Sequence, residues 1–251
     1  MFNVLGARLQ QKKRTIAFPK EEPVLPDRFR GRPEIQQSLC TPDCRICAEA
    51  CPTDAMRRDA EGLTLDMGRC LFCGECAAVC PLKAIRHTTD YRLAVRNRND
   101  MILKGSEVAL ASALQRETLR LFGRSLKLRE VSAAGCNACE ADVNVLGTVV
   151  FDLGRFGIQV VASPRHADGI LITGPISRNM MLALKKTYEA VPTPKLVIAV
   201  GACAISGGPF IDNPEIHNGV ESTLPIDLYV PGCPPHPLTI LDGLLRLIRA
   251  R

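Results

Sequence analysis

The twelve cysteines of this 251-residue chain divide into sets of four, with none left over. Cys40, Cys44, Cys47 and Cys51 form one dense run and Cys70, Cys73, Cys76 and Cys80 a second, each closed by Cys-Pro. Cys136, Cys139, Cys203 and Cys233 are widely dispersed, in turns rich in Gly and Pro. Four thiolates are the ligand set of a cubane 4Fe–4S centre, so the arithmetic predicts three such clusters and single-electron transfer as their chemistry.

Cys70-x2-Cys73-x2-Cys76-x3-Cys80-Pro81 has the bacterial ferredoxin spacing, in which three close cysteines hold one cubane and the fourth reaches the neighbouring one. That rule groups Cys70, Cys73 and Cys76 with Cys51, and Cys40, Cys44 and Cys47 with Cys80. The first run departs from the pattern, with three residues between Cys40 and Cys44. A turn at Pro42 must absorb the extra length, and a cage deprived of Cys40 would become a three-iron centre. Tetrahedral zinc also accepts four thiolates, so two zinc sites are the competing use of the dense runs. Zinc, however, needs neither the interlocked arrangement nor the two Cys-Pro ends. Gly74, Ala77 and Ala78 keep side-chain bulk off the second cage, and Arg45, Arg69, Lys83 and Arg86 are candidates to offset cluster charge.

The dispersed cysteines need a scaffold that gathers remote segments. In the second half, short apolar runs at Leu126–Val131, Ile158–Ala162, Gly169–Thr173, Lys195–Val200 and Ile226–Val230 read as strands. The segments Asp142–Phe156, Arg178–Val191 and Pro237–Ala250 between and after them read as helices. Such alternation predicts an α/β fold with a flavodoxin-like, doubly wound parallel sheet, and the near-continuous apolar runs fit strands buried on both faces. Cys136, Cys203 and Cys233 each follow a strand, and loops at the carboxyl ends of parallel strands converge on one crevice. Buried free thiols are the alternative for Cys203 and Cys233, but both lie in turns rather than inside elements.

Ahead of this comes a small α+β, bacterial-ferredoxin-like unit built around the two dense runs, with Glu61–Asp66 as a hairpin strand. Residues 1–28 carry Pro19, Pro23 and Pro26 without periodicity and read as an extended basic arm. Residues 96–124 read as a linker helix, because Leu103, Leu110, Leu114 and Leu121 fall on one stripe, with Arg116 and Arg120 opposite and Glu117 intruding at its edge.

Composition removes several function classes. No apolar run reaches the ~20 residues of a spanning helix, and the N-terminal stretch lacks the apolar core of a secretory signal. An unexported chain this rich in cysteine points to metal rather than disulfides. The net charge of +6 leans on Lys12, Lys13, Arg14, Lys20, Arg28, Arg30 and Arg32, but aromatic residues are 4% and Trp is absent, so nucleic acid has little to stack on. Neither a Gly-x-Gly-x-x-Gly turn nor a Gly-Lys-Ser/Thr phosphate loop is present, which leaves nucleotide, nicotinamide and flavin binding unsupported.

Gly135-Cys-Asn-Ala-Cys-Glu140, Arg155-Phe-Gly-Ile158, Ser163-Pro-Arg-His-Ala-Asp168, Gly201-Ala-Cys203 with Gly207-Gly208, and Pro231-Gly-Cys-Pro-Pro235 resemble the small subunit of membrane-associated nickel–iron hydrogenases. More narrowly, these residues resemble the formate hydrogenlyase and hydrogenase-4 type, homologous to the terminal-cluster subunit of complex I. Complex I subunits usually carry adjacent cysteines where this chain has Cys136-x2-Cys139. Phe29-Arg-Gly-Arg-Pro33 and Tyr91-Arg-Leu-Ala-Val95 resemble the two-cluster ferredoxin-like subunit of the same complexes, so the chain looks like a fusion of two subunits. The expected organisation is an arm (1–28), a two-cluster ferredoxin-like domain (29–95), a linker (96–124) and a hydrogenase small-subunit-like cluster domain (125–251).

The resemblance implies that Cys136, Cys139, Cys203 and Cys233 hold the cluster nearest the partner's nickel–iron centre, with all chemistry on hydrogen in that large subunit. It implies membrane-embedded partner subunits, a redox donor or acceptor protein, and a cytoplasmic location peripheral to the inner face of the cell membrane. It places Glu140 near the subunit interface, where the residue is a candidate for proton transfer or a helix-start carboxylate, and Arg165 and His166 close to the cluster. His217 and His236 have weaker claims. A complex I-like quinone oxidoreductase module and a zinc-stabilised assembly scaffold are the rival readings.

Overall fold

The computed structural model describes residues 2–41, 43–59, 62–112, 114, 122 and 125–248. Its first element is the helix α1 (Phe2–Gln11), in place of the expected extended arm. The prolines at 19, 23 and 26 lie beyond this stretch, so no proline interrupts the helix. Beyond α1 the chain runs along the second half of the molecule. The Ile16 N–H donates to the Val150 carbonyl at 3.0 Å, and the Arg155 guanidinium donates to the carbonyls of Ile16 and Phe18 at 2.9 and 3.0 Å.

The cysteine-rich unit follows. Its elements are β1 (Pro33–Ile35), α2 (Ile46–Glu49), β2 (Met56–Asp59), β3 (Gly62–Asp66), α3 (Glu75–Ala78), β4 (Ile85–His87) and β5 (Ile102–Leu103). β1 pairs antiparallel with β4, and β2, β3 and β5 form a second antiparallel sheet. The expected hairpin strand is therefore present as β3. Over residues 96–112 the expected linker helix is absent: residues 98–101 form a 3-10 turn, and Leu103 pairs with Leu65 across the sheet. Burying Leu103 against β3 outweighs the helical stripe that its spacing suggests. Leu121, Arg116, Glu117 and Arg120 lie outside the described residues.

The second half is a five-stranded parallel sheet of β6 (Leu126–Ser132), β7 (Ile158–Val160), β8 (Gly169–Thr173), β9 (Leu196–Val200) and β10 (Leu228–Val230), in the order β10-β9-β8-β6-β7. Counted from its own first strand this is the 2-1-3-4-5 order of the flavodoxin-like fold. Strands β8 and β9 are buried at every position, as their unalternating sequences predict. The helices are α4 (Ala138–Val145), α5 (Arg178–Ala190), α6 (Ala202–Ser206) and α7 (Pro237–Ile248). The helix expected over Asp142–Phe156 instead starts at Ala138 and ends at Val145. Asn137, at φ 70°, turns the chain into it, and a separate 3-10 turn forms at Leu153–Phe156. The Leu153 N–H returns to the Leu146 carbonyl, closing the intervening residues as a turn.

One face of the sheet packs on α4 and α7 through Leu128, Ile198, Val200, Val143, Leu146, Leu241 and Leu245. The other face shares a hydrophobic cluster with the cysteine-rich unit, joining Ile170, Ile172 and Ile205 to Leu63, Leu65, Met67 and Met101. Val95 forms a β-bridge with Tyr229, and Ser206 Oγ donates to the Gly68 carbonyl at 2.9 Å. The two halves thus share one core.

Candidate iron–sulfur sites

Cys40, Cys44, Cys47 and Cys80 line one hollow, together with Leu39, Ile46, Leu63, Leu82 and Arg58. Cys51, Cys70, Cys73 and Cys76 line a second, with Met56, Leu65 and His87. The grouping is the interlocked one that the spacing predicts. The two hollows lie on one sheet: Leu63 and Leu65 of β3 sit opposite Arg58 and Met56 of β2, one pair per hollow. Gly74 precedes α3 at φ 85°, a left-handed turn that favours glycine, and a Cβ there would fall 3.1 Å from Arg30 Nε, which crosses beside it. Backbone N–H groups point at the thiols: Ala55 to Cys51, Phe72 to Cys70 and Ala84 to Cys80, each at 3.3 Å.

The four dispersed cysteines converge at the carboxyl end of the parallel sheet. Cys136 lies in the loop after β6, Cys139 in the first turn of α4, Cys203 in α6 after β9, and Cys233 in the loop after β10. Cys139 feels Cys203, Cys233 and Cys136 as like charges, and Cys203 feels Cys233 and Cys136. Gly201 and Gly208 make room: a Cβ at Gly201 would sit 2.6 Å from Cys139 Sγ, and one at Gly208 2.9 Å from Cys203 Sγ.

The three groups are also neighbours of one another. Cys76 of the second feels Cys47 of the first, and Cys233 of the third feels Cys73 of the second. The interlocked spacing already makes the first two groups neighbours, whereas the place of the third depends on the shared core.

The thiols are poorly suited to ionise alone. Burial, with neighbouring thiols adding to it, pushes Cys70 up to about 12, Cys76 to about 11 and Cys203 to about 12. Burial raises Cys47, Cys139 and Cys233 in the same direction. A thiolate is the metal-binding form, so positive charge from bound iron is what such a site lacks. All twelve cysteines are free of disulfides. Among the described residues, no three Cys, His, Asp or Glu side chains are spaced to hold a single ion. Four thiols at each place are the donor set of a 4Fe–4S cage.

Glu140 lies buried at the start of α4, where Oε1 accepts from Ser132 Oγ at 2.6 Å and Thr173 Oγ1 at 2.7 Å. Burial works to raise its pKa, but these bonds and its own backbone N–H outweigh it and hold the carboxyl below its ordinary value. Ser132 and Thr173 are register partners at the ends of β6 and β8, two polar residues terminating buried strands, and that pattern is open to sequence reasoning. Glu130, nearby on β6, is pushed the other way, to about 7, by burial and then by the charge of Glu140. Arg165 and His166 are exposed, and neither side chain makes a hydrogen bond or ion pair among the described residues. His217 contributes only backbone bonds among the described residues, donating to the Ile176 carbonyl and accepting from the Gly219 N–H. His236 Nδ1 accepts from the Leu238 N–H at 3.2 Å, its ring packs edge-on to Phe29, and burial lowers its pKa. Sequence reasoning misses Arg58 altogether.

Fold and thiol chemistry together define an iron–sulfur protein in two parts, one dicluster and one flavodoxin-like. Residues 136–247 match the family described as "NADH ubiquinone oxidoreductase, 20 Kd subunit", and residues 21–84 match the "4Fe-4S dicluster domain". The chain is 40% identical over 126 residues to the "Probable membrane-bound hydrogenase subunit mbhJ" of Pyrococcus furiosus, a match covering 50% of this chain and 75% of that protein. It is 43% identical over 129 residues to one of the NADH-quinone oxidoreductase subunits of Bacteroides thetaiotaomicron, covering 51% of this chain and 65% of the relative. Formate hydrogenlyase subunit 7 of Escherichia coli is 39% identical over 132 residues, covering 53% of this chain and 52% of the relative. The chain belongs to the NADH ubiquinone oxidoreductase 20 kDa subunit family, with a 4Fe-4S dicluster domain ahead of the family region.

Proposed function

We propose that this chain is the electron-transfer subunit of a nickel–iron hydrogenase complex of the formate hydrogenlyase kind, carrying three 4Fe–4S clusters. What supports the reading is that the three four-cysteine groups lie within electrostatic reach of one another, Cys47 of Cys76 and Cys73 of Cys233. When bound, the clusters supply one-electron chemistry; the chain's residues supply spacing, burial and N–H donors to sulfur. The first hollow is rimmed by exposed Leu39, Ile46 and Leu82 and suits contact with a redox donor or acceptor protein. Cys136 and Cys233 are exposed at the far end, where a nickel–iron large subunit would complete the path. Nickel and hydrogen chemistry belong to that partner. Among the described residues no helix is long and apolar enough to cross a membrane, so attachment to the inner face of the cell membrane would come through membrane-embedded partner subunits.

A second reading, a quinone oxidoreductase module, is favoured by the 43% identity to a quinone oxidoreductase subunit. The intact complex, isolated without oxygen, is to be assayed for proton reduction and for quinone reduction, with iron counted per chain. About twelve irons and hydrogen evolution support the proposal. Twelve irons with quinone reduction alone moves it to the second reading, and zinc in place of iron ends both.

A further inference from the structure

Among the described residues, Arg58 is the only charged side chain lining the hollow of Cys40, Cys44, Cys47 and Cys80. It reaches that position through the two-residue period of β2, which turns Met56 and Arg58 inward and leaves Arg57 exposed. The two arginines differ in their partners. Arg57 Nε donates to the Asp54 carbonyl at 3.3 Å, whereas Arg58 Nε is buried and has no acceptor among the described residues. A guanidinium carries only donors and stays charged at any working pH, so a buried N–H without an acceptor is costly. Two other arginines, Arg32 and Arg69, also have an orphaned Nε. Arg32 satisfies its charge on Glu34 and Asp90, and neither residue lines a hollow. The second hollow is lined by no Lys or Arg and has Glu75 at its edge; Arg30 crosses outside it at Gly74, with its guanidinium on the Phe72 carbonyl.

We infer that Arg58 positions its cation and its orphaned N–H against the cage at Cys40, Cys44, Cys47 and Cys80, and thereby makes that cage easier to reduce than its neighbour at Cys51, Cys70, Cys73 and Cys76. The inference rests on the cluster assignment proposed above. Its chemistry is a single electron gained, with no bond made and no proton moved: added negative charge is stabilised by a nearby cation and destabilised by a nearby carboxylate. Arg58 is a tuning residue, and its effect is on the order in which the cages fill.

The test is a potentiometric titration of the intact, iron-loaded complex followed by paramagnetic resonance, with the two signals assigned by which of them changes in a Cys44→Ser variant. In the native complex the signal at Cys40, Cys44, Cys47 and Cys80 appears first on reduction. In Arg58→Gln, at a fixed ambient potential, its reduced-to-oxidised ratio falls about tenfold or more, a shift of about 59 mV for one electron. The other signal stays in place, and Arg58→Lys shifts less than Arg58→Gln. An unmoved potential with full iron content, or an equal shift of both cages, overturns the inference and leaves the cluster assignment standing. So does a native titration in which this cage reduces last, which holds even if Arg58→Gln fails to load. Absence of iron at these cysteines in the native chain overturns the assignment itself.

Discussion

Replacing Gly201 by alanine should remove the cluster at the sheet end and spare the other two. Gly201 precedes α6 at φ 90° and ψ 155°, a region open essentially only to glycine and worth about 1–3 kcal/mol of strain for any other residue. Against a stability of roughly 5–15 kcal/mol, that alone does not unfold the chain. The contact is the larger effect. The added Cβ would lie 2.6 Å from Cys139 Sγ, about an ångström inside a comfortable separation, with the Gly232 carbonyl at 3.6 Å and Pro235 Cδ at 3.8 Å behind it. A free thiol could rotate away. A thiolate tied to iron cannot, and losing one of four dispersed ligands leaves the cage open. Iron in Gly201→Ala should therefore fall from about twelve to about eight per chain, with one paramagnetic signal lost and the circular dichroism of the fold retained. Gly147→Ala is the control: its nearest contact is the Asn144 carbonyl at 3.4 Å, and it should keep full iron. A Gly201→Ala protein with twelve irons and three unchanged signals would refute the reasoning, as would one that lost all three together.

Cys40→Ser should cost about one iron per chain and give a three-iron signal from the first cage, which mass spectrometry under native conditions and paramagnetic resonance would both detect. Glu140→Ala removes the acceptor of Ser132 and of buried Thr173, which keeps only a 3.5 Å bond to the Val131 carbonyl, and should lower stability by roughly 1–3 kcal/mol in anaerobic chemical denaturation at pH 7. Because Glu140's carboxyl is held below its ordinary value, its contribution is present above the unfolded pKa and fades as pH falls through the lower folded one. Glu130 runs the other way. With a folded value of about 7, it stays protonated while the unfolded chain ionises, so stability falls as pH rises from about 4.5 to 7. Glu130→Gln should gain about 2 kcal/mol at pH 8, discounted from the full shift for solvent screening, and nothing near pH 4. Equal gains at both values would contradict the burial argument.

Most of the second half is legible in sequence because its strands are short, largely apolar runs, three of which (β6, β9 and β10) are followed by cysteine-bearing turns. Gly169–Thr173 is a strand over the same residues that its apolar run marks, and the pairing of Cys51 and Cys80 with the opposite runs follows from spacing. What fails does so for identifiable reasons. Leu103 reads as helical from its spacing to Leu110 and Leu114, yet the open edge of β3 offers it burial that periodicity does not register. The start of α4 depends on Asn137 entering a left-handed conformation, which few sequence rules anticipate. Arg58 is invisible because an arginine on a short edge hairpin normally reads as solvated. Only the three-dimensional hollow shows that its Nε has nowhere else to go.

The apolar cluster running from Leu63 and Met67 to Ile170 and Ile172 has a kinetic consequence. Tunnelling probability decays exponentially with the gap an electron must cross, so a hinge between the halves would make transit as erratic as the hinge itself. Joined by common packing, the halves cannot drift apart without breaking the folded state. The interval from Cys73 to Cys233 becomes a fixed length in every copy, and a cavity cut at Ile172 should blur transit times before it empties any cage of iron.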